Sequence, residues 1–265
     1  MPSSASSPAT GLRKVPPAFG AIAPEGAGMP LFRAVQRALV RAIESGAVGP
    51  GDPLPSESEL ALAFGVAVGT LRRAVDELVA DHVLVRRQGR GTFVATHTGD
   101  RFLFQFFHVE RSDGHREAPE VELLSFERGP LGEDAAAALR RPASEAAFLV
   151  ENRLKLQGRA VVHDRLTLPA ALFRGLTERR LRERPGTLYQ LYQSEFGITV
   201  VHAHERLRAV AADRAAARVL GVGPGTPMLQ VRRTAIALGA RPVEYRVSLV
   251  LTQSHEYVNL LSRPG

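Results

Sequence analysis

Arginines in two short groups carry the chemistry that this sequence shows most plainly. Arg72 and Arg73 stand in the first turns of a predicted helix, while Arg86, Arg87 and Arg90 surround a turn that contains two glycines. A guanidinium is planar and always charged, and its fork of N–H groups pairs with a phosphate or with the edge of a guanine base. Both groups therefore have side chains suited to duplex DNA, although any one of them alone also fits a solvated helix face.

The elements that would position these arginines are helices and one hairpin within residues 29–96. Apolar residues recur at helical spacing in a first helix. Ser56 then caps a second helix, and Glu59 three residues later completes a capping box. Gly65 and Val66 make a short turn into the third helix, which is the arrangement of a helix-turn-helix. In that arrangement the third helix presents its N-terminal residues, here Arg72 among them, to the major groove.

A hairpin is predicted directly after the third helix. Residues 83–85 and 92–94 have the apolar and β-branched character of short strands, and 86–91 form a cationic tip between them. Gly89 and Gly91 allow that tip to turn tightly and to approach a nucleic-acid backbone.

Short motifs recur through this stretch in a fixed order: Pro30-Leu31-Phe32, Ile43, Ser45-Gly46, Pro50-Gly51-Asp52, Leu54-Pro55-Ser56-Glu57, Glu59-Leu60, Gly65-Val66, Thr70-Leu71-Arg72, Leu78 and Gly89-Arg90-Gly91-Thr92-Phe93-Val94. In order and spacing they resemble the GntR family of bacterial transcription regulators, which are winged helix-turn-helix proteins. The resemblance implies that the hairpin tip enters the minor groove, with Arg90 as its leading residue. The residues expected to contact DNA are Ser58, Gly69, Thr70, Arg72, Arg73, Arg87, Arg90 and Gly91.

Three positions depart from the family pattern. Ser58 and Val68 stand where the family often has arginines, and Ala67 stands where it usually has a Ser or Thr cap. A lost cap costs about 1 kcal/mol of helix stability, and each lost base contact removes about 1–3 kcal/mol of discrimination. We therefore expect a different operator from the common family consensus, with Arg72 and the hairpin carrying more of the binding. Gly69 would allow the helix start to approach a phosphate closely.

The second half alternates short strands with helices, and hairpin-linked strands predict an antiparallel sheet with helices packed on it, an α+β domain. Arg153 and Lys155 lie two apart on one predicted strand, so both point to the same face as Glu151. A pair of cations suits a carboxylate or phosphate ligand. The same residues also fit the wet face of a half-buried strand, and the pattern alone leaves both interpretations open.

Looser motifs follow each other through residues 100–260: Arg153, Lys155, Gly158, the 164–169 segment, Leu188-Tyr189, Phe196-Gly197-Ile198, Ala216-Ala217, Leu220-Gly221, Pro224-Gly225-Thr226-Pro227 and Arg241-Pro242-Val243-Glu244-Tyr245. Together they resemble the UTRA domain of the HutC group of GntR regulators, which shares its fold with chorismate lyase. The resemblance implies effector binding by Arg153, Lys155, Asp164 and Glu244. Lys155 offers a point charge where arginine is common, and Asp164 is shorter than the usual glutamate.

Composition limits the remaining possibilities. The chain has 265 residues, a net charge of +7 and no cysteine. Disulfide frameworks and thiolate metal sites are therefore excluded. No apolar run approaches the ~20 residues that span a bilayer, and we expect a cytoplasmic protein with no membrane partner. Residues 1–28 are rich in Ser, Ala, Pro and Gly and are predicted to be a disordered tail. The paired His202 and His204 lie beside arginines, so a metal site is not expected there.

The sequence thus predicts a winged helix-turn-helix domain at 29–96 and a UTRA domain at 100–265 that binds an effector and dimerises the chain. The expected function is that of a transcriptional regulator, most simply a repressor, in which a homodimer binds a palindromic DNA operator and a small, anionic effector releases it. No cofactor and no catalytic residue are expected. Two alternatives stay open: a DNA-binding dimer whose second domain only dimerises, and an enzyme similar to chorismate lyase.

Overall fold

The computed structural model describes residues 19–22, 29–97 and 105–259, and the chain divides into two compact units between Ala95 and Thr96. Each unit has its own core. None of the described helices is both long and apolar enough to cross a membrane.

The first unit is a three-helix core followed by a small antiparallel hairpin. Val35 and Leu39 on the first helix, Leu60 on the second, and Leu71 and Val75 on the third are buried. Val35 and Leu39, like Leu71 and Val75, are four residues apart and therefore lie on one face of their helix, so burial of these faces and of Leu60 stabilises all three helices together. The elements are α1 (Leu31–Glu44), α2 (Glu57–Phe64), α3 (Val68–Ala80), β1 (Leu84–Arg87) and β2 (Gly91–Val94).

The predicted capping box at the start of α2 is confirmed. The Ser56 side chain accepts a hydrogen bond from the Glu59 backbone N–H at 3.3 Å, and the Glu59 carboxylate accepts one from the Ser56 backbone N–H at 2.8 Å. These bonds satisfy two N–H groups that have no partner within the helix. The helix ends at Gly65, whose φ of +67° lies in the left-handed region that favours glycine.

From the sequence, Leu60, Leu62 and Ala63 are the apolar residues expected on the inward face of α2, and the structure differs from that expectation. Leu60 is buried as expected, but Ala61 and Phe64 complete that face, while Leu62 is 85% exposed. Leu60, Ala61 and Phe64 lie on one helix face, because Phe64 is four and three residues beyond the other two, and Leu62 lies on the opposite side.

Part of the segment predicted to be a disordered tail lies against this helix. Phe19 is buried edge-to-face on Phe64, with 5.7 Å between ring centroids. The Ile22 N–H donates to the Phe64 carbonyl at 3.3 Å. A single aromatic residue thus orders residues 19–22, while the rest of the predicted tail, 1–18 and 23–28, lies outside the described residues.

The second unit is built on a six-stranded antiparallel sheet in the order β4–β5–β6–β9–β8–β7. A separate two-stranded ribbon pairs β3 with β10. This matches the predicted α+β class. The elements are β3 (Val109–Arg111), β4 (Glu120–Pro130), α4 (Glu133–Leu139), β5 (Ala146–Leu156), β6 (Arg159–Pro169), α5 (Glu178–Arg182), α6 (Leu188–Phe196), β7 (Val200–Ala211), α7 (Arg214–Leu220), β8 (Pro227–Ala237), β9 (Arg241–Val250) and β10 (His255–Tyr257).

Helices cover both faces of the sheet. On one face, here called the α6 face, Tyr189 and Tyr192 of α6 are fully buried in a cluster with Leu166 and Leu168 of β6. On the opposite face, here called the α4 face, α4 packs near Tyr245 and α7 packs near residues of β6, β8 and β9. Directly opposed residues of antiparallel strands share a face, so the register decides to which face each candidate residue belongs.

Candidate nucleic-acid interface and ligand pocket

One carboxylate holds Arg72 and Arg86 together on the surface of the first unit. Glu57, in the first turn of α2, lies 2.9 Å from Arg72 Nε and 3.3 Å from Arg86 Nη2. Arg86 also lies 2.6 Å from Asp76 on α3. The network links α2, α3 and β1, so the arginine of the third helix and the first arginine of the hairpin share one surface. Arg72 keeps 62% of its side chain exposed.

Arg73 and Arg87 stack on aromatic rings. The guanidinium of Arg73 lies 4.0 Å from the ring centroid of Phe32, and that of Arg87 lies 4.6 Å from the centroid of Phe93. Such stacking restrains a guanidinium while its N–H edges stay accessible. Arg73 also approaches Glu77 at 3.6 Å. Arg73 lies on the Phe32 side of α3 and Arg72 on the Glu57 side. The two arginines therefore cannot bind the same phosphate or base.

The start of α3 and the tip of the hairpin are the most open parts of this surface. Ala67 supplies no side-chain cap, and Gly69 is exposed with nothing within 4 Å of the place where a Cβ would lie. The first N–H groups of an uncapped helix have no intrahelical acceptor and attract anions. At the hairpin tip Arg90 is exposed, and Gly91 has a φ of +103° that a larger residue would not adopt without strain.

The eight predicted DNA contacts are therefore spread over the start of α2, the start of α3 and the hairpin. Ser58 is exposed on α2, and Thr70 is half-buried at the start of α3. The assignment of these eight residues to DNA contacts stays a prediction.

The four predicted effector residues do not lie together. Arg153 and Lys155 project from the α4 face, where Glu122 lies 2.7 Å from Arg153 and 3.2 Å from Lys155. Arg153 and then Lys155 hold the pKa of the Glu122 carboxyl below its ordinary value. Arg153 also donates to the Val219 carbonyl at 3.3 Å. The two cations thus have partners within the chain.

Asp164 and Glu244 lie on the α6 face instead. Asp164 pairs with Asn152 across β5 and β6, whereas Arg153 pairs with His163. A step of one residue along a strand moves a side chain to the opposite face. The sheet therefore separates Arg153 and Lys155 from Asp164 and Glu244, and the assignment of all four to effector binding stays a prediction.

Asp164 and Glu244 converge on an arginine that sequence reasoning missed. Arg246 donates through Nε to Glu244 at 2.9 Å and through Nη1 to Asp164 at 3.2 Å. Glu244 is fully buried and also accepts a hydrogen bond from the Tyr192 hydroxyl at 2.7 Å. Burial opposes the charge of Arg246, but Glu244 and Asp164 hold its pKa above the ordinary value. Burial, followed by the charge of Glu244, raises the pKa of Tyr189 to about 12.

A pocket of about 340 Å³ opens onto this cluster. Asp164 and Arg246 form part of its wall, and Arg184, just before α6, forms another part. The remaining wall is largely apolar and includes Leu154 and Leu188. This volume is near the lower end of the ~300–1,000 Å³ that is usual for small-molecule sites. A larger cleft of about 450 Å³ lies on the α4 face, lined by exposed polar residues such as Asp134, Arg140, His204 and Arg206.

Two features of the sequence, neither of them used in the prediction above, mark this pocket. Glu244 and Arg246 alternate along one strand, which places both on one face. Arg184 precedes Pro185 and Gly186 at the entrance to a threonine-capped helix. Within the described ranges, no group of three or more His, Cys, Asp or Glu residues is arranged to hold a metal ion.

Family models match both halves of the chain. The model described as "Bacterial regulatory proteins, gntR family" matches residues 31–94, and the model of the UTRA domain matches residues 114–256.

Curated relatives share nearly the whole length. The chain is 31% identical over 237 residues to the histidine utilization repressor of Pseudomonas putida, covering 86% of this chain and 91% of that protein. It is 33% identical over 213 residues to the protein of the same name from Pseudomonas aeruginosa, covering 77% and 80%. It is 25% identical to the HTH-type transcriptional repressor NagR of Bacillus subtilis, covering 89% and 96%.

A solved structure supports the fold of the second unit. The ligand-binding domain of a protein assigned to the GntR-family regulators of Bordetella bronchiseptica aligns with a TM-score of 0.56 and 37% identity, covering 60% of this chain and 99% of that domain.

Proposed function

Because the chain belongs to the GntR family of bacterial regulatory proteins and carries a UTRA domain, we propose that its first unit binds an operator and its second unit binds the small molecule that controls that binding. The chain is a DNA-binding transcriptional regulator and not an enzyme. The relatives that it matches over most of its length are also transcriptional regulators. Those relatives are named repressors, and we assign repression to this chain as well.

The observation that supports the DNA-binding half most directly is the surface shared by Arg72 and Arg86. Glu57 holds one guanidinium from α3 and one from the hairpin at 2.9 and 3.3 Å. A duplex presents a major groove flanked by phosphates, so an arginine on the third helix and cations on a neighbouring hairpin match two adjacent parts of it. Arg72 is assigned to a base edge, and Arg73, Arg87 and Arg90 to phosphates or to the minor groove.

The remaining predicted contacts have supporting roles in this proposal. Ser58, Gly69, Thr70 and Gly91 bring the backbone of α2, α3 and the hairpin close to the phosphates, because small side chains leave room for that approach.

In this proposal the second unit forms a homodimer, and the first units of the two chains bind a palindromic operator. Two identical recognition helices fit two half-sites about 34 Å apart, which is one turn of DNA. Such a dimer works on DNA in the cytoplasm.

The proposed effector site is the pocket bounded by Asp164, Arg184 and Arg246, with Glu244 beneath it. Arg153 and Lys155 are given a structural role, since Glu122 and Glu120 on the adjacent strand already pair with them. The effector controls operator affinity only if it binds the DNA-bound and free conformations with different affinity.

Footprinting on the DNA upstream of the protein's own gene tests this proposal. A palindromic protected region is expected, with two protected halves centred one helical turn apart. Sedimentation of the complex should give two chains per duplex. Uniform binding without a protected region would refute the proposal, whereas one chain per duplex would refute the dimer alone.

A further inference from the structure

Buried polar atoms without partners gather around the pocket on the α6 face. Among the described residues, Asp164 Oδ1, Arg184 Nε and Arg246 Nη2 are buried and have no hydrogen-bond partner, and all three residues line that pocket. The side chains of Asp164 and Arg246 are 3% and 8% exposed. Leaving a buried donor or acceptor unpaired costs about 1–3 kcal/mol, and more for charged groups. Such atoms in a native fold therefore point to a ligand that completes them.

The three unpartnered atoms require two different chemical groups on a ligand. Arg184 Nε and Arg246 Nη2 are donors, so they require an acceptor such as a carboxylate. Asp164 Oδ1 is an acceptor, so it requires an N–H or O–H donor. Burial lowers the pKa of Arg184, which means that its charged form gains from an anionic partner.

The charges of the cluster argue against a plain anion. Arg184 and Arg246 contribute two positive charges, while Asp164 and the buried Glu244 contribute two negative charges. A ligand with only negative charge would add an uncompensated charge close to both carboxylates. A phosphate dianion would add about two. A ligand that carries one negative and one positive group leaves the cluster neutral.

The two ligand groups must lie close together. Arg246 Nη1 and Asp164 Oδ2 are 3.2 Å apart and form an ion pair. The unpartnered atoms, Arg246 Nη2 and Asp164 Oδ1, are the other terminal atoms of the same two side chains. Their ligand partners are then separated by only a few bonds. An amino group on the carbon next to a carboxylate satisfies this condition.

The rest of the pocket fits a short apolar body. Pro119, Val121, Leu154 and Leu188 contribute to a wall that has more apolar than polar surface. The pocket also meets the start of α6 at Thr187, where the positive end of a helix dipole favours the carboxylate.

We propose that the effector is an amino carboxylate with a short apolar side chain, whose carboxylate pairs with Arg184 and Arg246 and whose amino group pairs with Asp164. This inference rests on the proposed function of the pocket and gives the chemical class of its ligand. A phosphorylated sugar and an unsubstituted carboxylic acid are the competing classes. The acid leaves Asp164 Oδ1 without a partner, whereas the sugar offers it hydroxyl donors but adds about two uncompensated negative charges to the cluster.

Matched pairs of probes test the proposal on the full chain by calorimetry and thermal melting. L-leucine is compared with 4-methylpentanoate, and L-phenylalanine with 3-phenylpropanoate, since the members of each pair differ only by the amino group. Glucose 6-phosphate, which has hydroxyl groups but no amino group, and inorganic phosphate represent the phosphate class. In at least one pair the amino acid should bind about 10- to 150-fold more tightly, because a hydrogen bond to a charged group contributes about 1.5–3 kcal/mol.

Two variants separate the roles of the pocket residues. Asp164→Asn should bring the affinity ratio within the pair close to one, because it removes the charge that pairs with the amino group. Arg184→Gln should weaken both members of the pair by a similar factor and leave their ratio unchanged. Asp134→Asn in the cleft on the α4 face is the control, and it should change neither value. The melting temperature of each ligand-free variant shows whether it folds. If Asp164→Asn does not fold, Arg184→Gln still tests the proposal.

The outcomes distinguish this inference from the function on which it rests. Tighter binding of the plain acid or of glucose 6-phosphate overturns the proposed ligand class, while the pocket remains an effector site. Binding of none of the six probes also overturns it, because water alone would then satisfy the three atoms. If the same wild-type preparation bound operator and random duplex with equal affinity, that result would instead refute the regulatory function.

Discussion

Replacing Arg72 with alanine separates a base contact from a structural role. In the free protein Arg72 is 62% exposed and forms an ion pair with Glu57 at 2.9 Å. An exposed pair of this kind contributes about 0–1 kcal/mol, so the free energy of unfolding should change by less than about 1 kcal/mol. A bidentate contact to a base contributes about 1–3 kcal/mol of discrimination, which is about 5- to 150-fold in the ratio of operator to random-duplex affinity.

Fluorescence anisotropy on the footprinted operator and on a scrambled duplex, over a series of salt concentrations, measures this ratio. Arg72→Ala should lower operator affinity with little change on the scrambled duplex. Arg73→Ala is the matched control. Because Arg73 is assigned to a phosphate, its loss should weaken both duplexes alike and reduce the salt slope by about 0.9. If Arg72→Ala weakened both duplexes equally, or neither, the assignment of Arg72 to a base edge would be wrong.

Three further predictions concern the helix start, the α4 face and pH. Gly69→Ala should raise the melting temperature, because alanine favours a helix by about 1 kcal/mol and nothing lies within 4 Å of the new methyl group, and it should weaken operator binding in the anisotropy assay if a phosphate approaches there. Glu122→Gln removes the carboxylate that pairs with Arg153; calorimetry should show unchanged affinity for the pocket ligand, and a large loss would restore Arg153 to the effector site. Burial lowers the pKa of His108 below its ordinary 6.5, against the attraction of Glu205. Its contribution to stability is therefore full above about pH 6.5 and is lost as the pH falls towards the folded value; thermal melts should show this loss, and His108→Gln should reduce it.

Local patterns in the sequence predicted most elements, because their signals are short-range. The capping box of Ser56 and Glu59, the glycine after α2 and the hairpin tip each depend on neighbouring residues, and the structure has all three. The inward face of α2 was less predictable. Leu62 and Ala61 are equally plausible core residues by type, and only the position of Phe64 in the assembled core decides between them.

The ligand pocket was less accessible to sequence reasoning than the DNA-binding surface. Arg153 and Lys155 form an obvious cationic pair, but their charges are matched by Glu122 and Glu120 on the neighbouring strand. The cluster that replaces them joins Asp164 to Arg246 across β6 and β9. That contact depends on strand register between distant parts of the chain, and one residue of register moves a side chain to the other face.

The central claim is that the two units are coupled through one equilibrium, and a reciprocal titration tests it most directly. Operator affinity is measured with and without saturating pocket ligand, and ligand affinity is measured with and without operator. Linkage requires the same factor in both directions, and coupling of the usual size is about 5- to 150-fold. An equal weakening of both affinities, by a factor of that size, would support the account. A ligand that fills the pocket while operator affinity stays the same would contradict it.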